Sequence, residues 1–458
     1  MLLRLSGNNP PPPKKNKYAN LMRKSTNNLN VIIQRLKKSS LFKDSFWAVG
    51  GNGIGNFLLL LSGVLIARML GKDLYGEYGM VKTTMFYLAL FSTFALGDTS
   101  TKFIAEYIQR DQSQVWNIIK ASVKITFITS MTLCMLLYIF AGDLAKYINA
   151  VQLEYSFRFL GIIIVCRALN TVGAGILGGM KEYKLTGVNN VVSGIVMLLL
   201  AVILTDRWKL AGALTALLIS QILLSILNFI AVYRKSKSFT RGGTCGFERK
   251  LFSFSFPFAM NELIFSASSW GINLLLVRYA SLGDLGMYTA CTQWNSIILF
   301  MPGLLGNVIL SYLSTSAVDD HVRHDDLIKK MLLINFVCTF VPFLIVVSAS
   351  QYITAYYGPS FVDMEWILSI IVLGTIFTCL TRVFQSDLMS QGRKWTAFVI
   401  RSSYNVVQLI IVYVVLIMTN GDNAALNMAY ISLFISFIAL FMYVVVFYYN
   451  RQHSLLIN

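Results

Sequence analysis

Charge is scarce in this chain, and acid is scarcer than base. Only 13% of its 458 residues are Asp, Glu, Lys or Arg, against about 25% in an ordinary soluble domain. Hydrophobic residues make up 56%, and the mean hydropathy is +0.62. So few charges cannot cover so apolar a core in water, which excludes a large soluble helical protein. Histidine is nearly absent: the three present all lie outside the long apolar stretches, so a histidine base within a membrane is excluded. No CxxC pair occurs among the six cysteines. Cys134, Cys166, Cys291, Cys338 and Cys379 fall in apolar segments and Cys245 in a basic loop, so neither a zinc site nor a disulfide framework is expected. No GxxxxGK[ST] loop is present, so the chain supplies no P-loop ATPase and transport would need another energy source. The opening MLLRL is too short for the apolar region of a signal peptide and runs into the polar SGNNPPPPKKNK. Beyond Pro10 to Pro13 the first half has no proline; the remaining four are Pro257, Pro302, Pro342 and Pro359.

What is there is a series of apolar segments. Twelve are near the ~20 residues needed to cross a bilayer: 46–70, 80–103, 119–141, 156–179, 186–205, 209–233, 254–279, 287–312, 329–349, 364–387, 395–418 and 425–449. In lipid the backbone must satisfy itself, so segments this long are helices. The sequence thus predicts an all-α integral membrane protein of twelve transmembrane helices. The basic stretch 234–253 divides them six and six. The expected organisation is a basic extension (1–45), an amino-terminal six-helix bundle (46–233), a linker (234–253), a carboxy-terminal bundle (254–449) and a tail (450–458). The net charge of +18 gathers in the first 45 residues, at Lys181 and Lys184, in the linker and at Arg393 and Lys394. The positive-inside rule accounts for that bias better than nucleic-acid binding does, and it puts both termini in the cytoplasm. Leu29, Ile32, Ile33 and Leu36 share one helical face, which fits a short surface helix or a plain tail.

One pattern occurs twice. Residues 65–80 read LIARMLGKDLYGEYGM, and residues 275–290 read LLVRYASLGDLGMYTA. Each carries Arg-x7-Gly-x-Tyr, as Arg68, Gly76 and Tyr78, then as Arg278, Gly286 and Tyr288. Each ends the first helix of its half. A period this long indicates a duplicated half-protein, not a solenoid. Six is even, so the halves enter the membrane alike and the repeat is parallel, around an axis along the membrane normal.

Ionisable residues inside apolar segments are the functional candidates, because each costs about 2.5–3.5 kcal/mol at mid-bilayer. Arg167, Arg382 and Arg401 are candidate cavity cations for an anionic ligand such as a pyrophosphate. Glu262 is a candidate cavity residue and, with Asp98, a candidate for H+ or Na+ coupling. The alternative for Arg167 is an ion pair across helices, for example with Glu262. Arg68 and Arg278 lie close enough to a membrane edge to act as interfacial anchors. Gly51 and Gly55 form a GxxxG spacing suited to close helix packing, not a nucleotide loop. Residues 319–326 gather His and Asp but read as a solvated loop, so no metal or other cofactor is expected. Pro257 and Pro302 should kink their helices and concentrate bending in the carboxy-terminal half.

The stretches LIARMLGKDLYGEYGM, LGDTSTKFIAEY (96–107), GILGGMKEYK (175–184) and LFSFSFPFAMNELIFSASSWGINLLLVRYASLGDLGMYTA (251–290) occur in an order and spacing that resemble the polysaccharide (O-antigen type) flippases of the multidrug/oligosaccharidyl-lipid/polysaccharide (MOP) exporter superfamily. The resemblance implies a V-shaped pair of bundles around a central, generally cationic cavity in a bacterial cytoplasmic membrane. It implies alternating access that moves an undecaprenyl-pyrophosphate-linked oligosaccharide, with a polysaccharide polymerase and glycosyltransferases as partners. A drug/cation antiporter of the same superfamily would favour carboxylates over arginines in its cavity. A membrane polymerase or acyltransferase would need large outer loops bearing His, Asp or Arg, and these outer loops are short.

Overall fold

The computed structural model describes residues 40–237, 239, 247–300, 302–303, 321–391 and 393–457, and every regular element among them is a helix. The elements are α1 (Ser40–Thr93), α2 (Leu96–Arg110), α3 (Val115–Tyr147), α4 (Leu153–Gly179), α5 (Tyr183–Ser236), α6 (Phe247–Tyr279), α7 (Leu282–Ile298), α8 (His321–Ser348), α9 (Ser350–Tyr357), α10 (Met364–Ser390), α11 (Lys394–Met418) and α12 (Ala424–Ile457). Eight of the described helices are long and apolar enough to cross a membrane. The chain is an integral membrane protein. Residues 1–39 of the amino-terminal extension and residues 238 and 240–246 of the linker, Cys245 among them, lie outside the described residues.

Two of these helices are too long for a single crossing. At 1.5 Å per residue the 54 residues of α5 would span about 80 Å, well beyond a hydrocarbon core of about 30 Å. Each therefore turns back at one residue outside the helical region: Gly71 in α1 (φ 72°, ψ 171°) and Lys209 in α5 (φ 48°, ψ −126°). Glycine takes such a φ freely. Lysine does not, so surrounding contacts must hold Lys209 there.

The limbs pack through small residues. A Cβ on Gly51 would meet the Cα of Gly187 at 2.6 Å, and one on Gly55 would meet Asn190 at 3.1 Å. The GxxxG spacing therefore works as a packing surface between α1 and α5. The glycines of GILGG do the same against α2: a Cβ on Gly175 would run into the Gly97 backbone, and Thr101 Oγ1 donates to the Gly175 carbonyl at 2.8 Å. Away from these contacts the helices turn apolar side chains outward. On α3, Phe127, Met131, Met135 and Ile139 are exposed at four-residue spacing, a stripe suited to lipid.

Two expectations need correction. The segment 80–103 is not one helix: Phe94 (φ 46°) and Ala95 (φ 56°) break it, and α2 starts afresh at Leu96. Asp98 thus lies in the first turn of α2, not late in a continuous helix. Ser92, in the last turn before the break, has its carbonyl taken by Thr129 Oγ1 of α3 at 2.6 Å, which is how a broken helix survives inside lipid. A break thus lies in the amino-terminal half, besides the bends expected of the carboxy-terminal half. There, α6 runs through Pro257 without a break, α8 contains Pro342, and α7 ends at Ile298 just before Pro302.

Candidate functional site

Two polar cavities lie inside the helix packing, one on each side of the linker. The first is among α1, α4 and both limbs of α5, and has a volume of about 220 Å³. Arg167 projects from the middle of α4 into its lining, beside Asn56, Asn170, Asn190, Gln221 and Asn228. The carboxamides brace one another. Asn170 Nδ2 donates to Gln221 Oε1 at 2.9 Å, Asn189 to Asn228 at 2.9 Å, and Asn190 to Asn52 at 2.5 Å. Among the described residues no Asp or Glu lines this cavity and Arg167 forms no ion pair. The result is a cation held among neutral hydrogen-bonding groups, which suits an anion.

The second cavity, of about 500 Å³, is lined from α6 to α12 and includes Arg382, Arg401, Tyr404 and Pro302. Arg401 Nη1 bonds Glu262 Oε1 at 3.0 Å, and its guanidinium stands 4.8 Å from the Phe265 ring centre. Glu262 therefore pairs with Arg401 and not with Arg167. Arg382 is exposed to the cavity, its charge is felt by Tyr404, and it has no carboxylate partner among the described residues. Asp98 of α2 lies within electrostatic range of Glu262 of α6, the other candidate coupling acid.

Between the cavities and the end of the molecule remote from the linker, the halves are sealed together. The repeated stretches found in the sequence meet there. A Cβ on Gly76 would overlap the Leu282 carbonyl, and one on Gly286 would overlap that of Lys72. Close by, Tyr75 donates to Gln293 Oε1 at 2.9 Å, and Gln293 Nε2 donates to the Leu60 carbonyl at 2.8 Å. The repeated arginines complete the seal. Arg68 stacks on Tyr356 at 4.8 Å, and Arg278 stacks on Tyr147 at 4.2 Å. Each pair crosses from one half to the other, and the tyrosines are offset in sequence almost as the arginines are. For Arg68 and Arg278, read from the sequence as edge anchors, the structure gives a specific aromatic partner each. A single apolar cluster, running from Leu60, Val64 and Tyr75 to Leu285, Ala290 and Phe361, fills the seal.

Several residues of this arrangement escape a search for charge alone. The carboxamides around Arg167 carry the same signal, polarity within an apolar segment, at a lower cost per residue. Lys82 is itself an ionisable residue within an apolar segment: it lies half-buried one turn from Tyr78, with Nζ 6.0 Å from that ring. Tyr147 and Tyr356 have no sequence signal of their own and emerge only from the offset of the repeat. Among the described residues no cluster of His, Cys, Asp and Glu has the form of a metal site.

Known proteins place the chain in a family. Residues 41–310 match the family described as polysaccharide biosynthesis protein. A relative from Shigella flexneri named "Putative O-antigen transporter" is 20% identical over 372 residues, which are 79% of this chain and 87% of the relative. In fold, the chain is similar to an inward-facing multidrug resistance MATE transporter of the MOP superfamily, with a TM-score of 0.74 at 15% identity over 87% of this chain and 94% of that one. It is similar also to the lipid II flippase MurJ in an inward closed conformation, with a TM-score of 0.68 at 17% identity over 89% of this chain and 87% of that one. With residues 41–310, more than half of its length, matched, the chain belongs to the polysaccharide biosynthesis protein family.

Proposed function

We propose that the protein is a flippase that moves an undecaprenyl-pyrophosphate-linked oligosaccharide from the cytoplasmic to the outer leaflet of a bacterial cytoplasmic membrane by alternating access, for surface polysaccharide synthesis. The observation that carries this reading is the charge of the cavities: Arg167 lines one and Arg382 with Arg401 the other, while no described Asp or Glu lines either and Glu262 pairs with Arg401. A diphosphate head with sugars attached is anionic and rich in hydroxyls. Guanidinium and carboxamide groups supply complementary donors and acceptors, while the polyprenyl tail stays in the bilayer beside the apolar outer faces. The O-antigen transporter relative and the likeness in fold to a lipid II flippase support the same substrate class.

Counting α1 and α5 as two crossings each, and α2 with the second limb of α1, the chain makes twelve crossings in two parallel six-helix repeats, 46–233 and 254–449, with both termini cytoplasmic. The reciprocal stacking of Arg68 and Arg278 supports that symmetry. The first limb of the cycle is loading from the cytoplasm with the outer seal closed. Glu262 and Asp98 are the residues proposed to couple an H+ or Na+ gradient, through the change of their mutual distance as the halves move. The protein performs transport and no bond-making chemistry, and it hands its substrate between glycosyltransferases and a polymerase. Cavities lined by arginine are poor sites for a cationic drug, which disfavours the antiporter reading.

Deletion of the gene tests the proposal. Lipid-linked repeat units should accumulate in the cytoplasmic leaflet and surface polysaccharide should fall. Arg167→Ala should give the same defect at a normal membrane level of the protein. Unchanged surface polysaccharide with no accumulated intermediate would count against the whole reading.

A further inference from the structure

The carboxy-terminal cavity holds more hydrogen-bonding capacity than the protein uses. Gln385, Ser386 and Gln408 line it, and their side chains make no hydrogen bond among the described residues. They are half-exposed, so their donors and acceptors are open to water or to a ligand in the cavity. The charges are similarly unbalanced. Arg401 is neutralised by Glu262 at 3.0 Å, whereas Arg382 has no acid partner among the described residues. The cavity therefore presents one uncompensated guanidinium surrounded by uncommitted amide and hydroxyl groups, with the Tyr404 ring as an apolar wall.

That combination discriminates between ligand chemistries. The diphosphate has the Arg167 cavity to receive it, with a guanidinium and carboxamide donors of its own. A neutral sugar would satisfy the glutamines and leave a cation unpaired. A sugar ring that bears a carboxylate meets both demands at once. The volumes agree: about 500 Å³ here lies within the range of small-molecule sites, while the Arg167 cavity, at about 220 Å³, is less than half that size.

We infer that the carboxy-terminal cavity is a glycan subsite selective for an acidic sugar, a uronic acid, and that Arg382 determines the selectivity. The inference rests on the flippase reading and narrows its substrate class. Arg382 forms paired hydrogen bonds with the sugar carboxylate, and Gln385 and Gln408 bind ring hydroxyls.

Two probes separate the sources of negative charge: a polyprenyl pyrophosphoryl disaccharide with a glucuronosyl residue, and its counterpart with a glucosyl residue. Both carry the diphosphate and only one carries the carboxylate. Binding is measured on the full-length protein in nanodiscs. Wild type should bind the glucuronosyl probe at least about tenfold more tightly. Arg382→Gln should abolish that preference by weakening the glucuronosyl probe more than the glucosyl one, and Gln408→Ala should weaken both probes alike. Equal wild-type affinity for the two probes overturns the inference and leaves the flippase reading intact. So does an Arg382→Gln loss that is equal for both, since Arg382 would then serve the diphosphate or the fold. Wild type that binds neither probe overturns both readings. Should Arg382→Gln not fold, Arg382→Lys carries the test, because a lysine cannot form the paired bonds: its preference must fall below wild type, and an unchanged preference overturns the inference.

Discussion

At the scale of single residues, the pair Glu262–Arg401 shows how a membrane cavity keeps a charge. The two side chains are partly exposed, at 37% and 18%, so their bond is neither a surface pair of little worth nor a dry one. Removing one partner strands the other. Glu262→Gln should therefore lower the apparent melting temperature of the purified protein, by a loss of about 1–3 kcal/mol. The double variant Glu262→Gln/Arg401→Gln should recover most of it. A double variant less stable than either single one would contradict the pairing. The charged members of both cavities were legible in the sequence because each violates the apolar rule of its segment. Their partners were not. Nothing between residues 262 and 401 marks which acid meets which base, since that depends on how α6 and α11 are packed.

At the scale of elements, the break at Phe94–Ala95 is the feature that periodicity conceals. A continuous apolar segment reads as a continuous helix, and neither residue is a glycine or proline that would punctuate it. Two non-glycine residues in the left-handed region cost roughly 1–2 kcal/mol each. Ala95→Gly should therefore leave the protein as stable or raise its stability by up to about 1 kcal/mol. Thr129→Val, of nearly the same volume, should lower stability by about 1–3 kcal/mol because the Ser92 carbonyl loses its donor. Melting curves in detergent read both. If Thr129→Val proves neutral, the carbonyl has found another donor and the break is less constrained than the bond suggests. The turns at Gly71 and Lys209 were legible, by contrast, because Lys72 and Arg207 stand in polar gaps between apolar runs.

At the scale of the whole molecule, the duplicated Arg-x7-Gly-x-Tyr stretch is both the mark of the repeat and the place where its copies touch. The sequence shows the stretch occurring twice. It does not reveal that the copies face each other, which follows only once the two halves are docked. A side chain at Gly76 cannot fit against the Leu282 carbonyl, so Gly76→Val should hold the seal ajar. Tyr75 is fully buried in the closed seal. A cysteine in its place should react with a membrane-impermeant maleimide from outside the cell several-fold faster when Gly76→Val is present. Equal labelling in the two backgrounds would mean that the glycines do not govern closure.

The seal's filling has a thermal consequence. Its few polar bonds, such as Gln293 to the Leu60 carbonyl, can be exchanged for bonds to water when the halves part. The apolar cluster from Leu60 to Phe361 has no such substitute, so its exposure raises the heat capacity of the open form. Attraction between apolar surfaces weakens on cooling. Cold should therefore loosen the outer seal before it disturbs the lipid-embedded helices. Labelling at position 75, corrected for the intrinsic slowing of the reagent, should rise as the temperature falls toward freezing. A corrected rate that falls would assign closure to the hydrogen bonds instead.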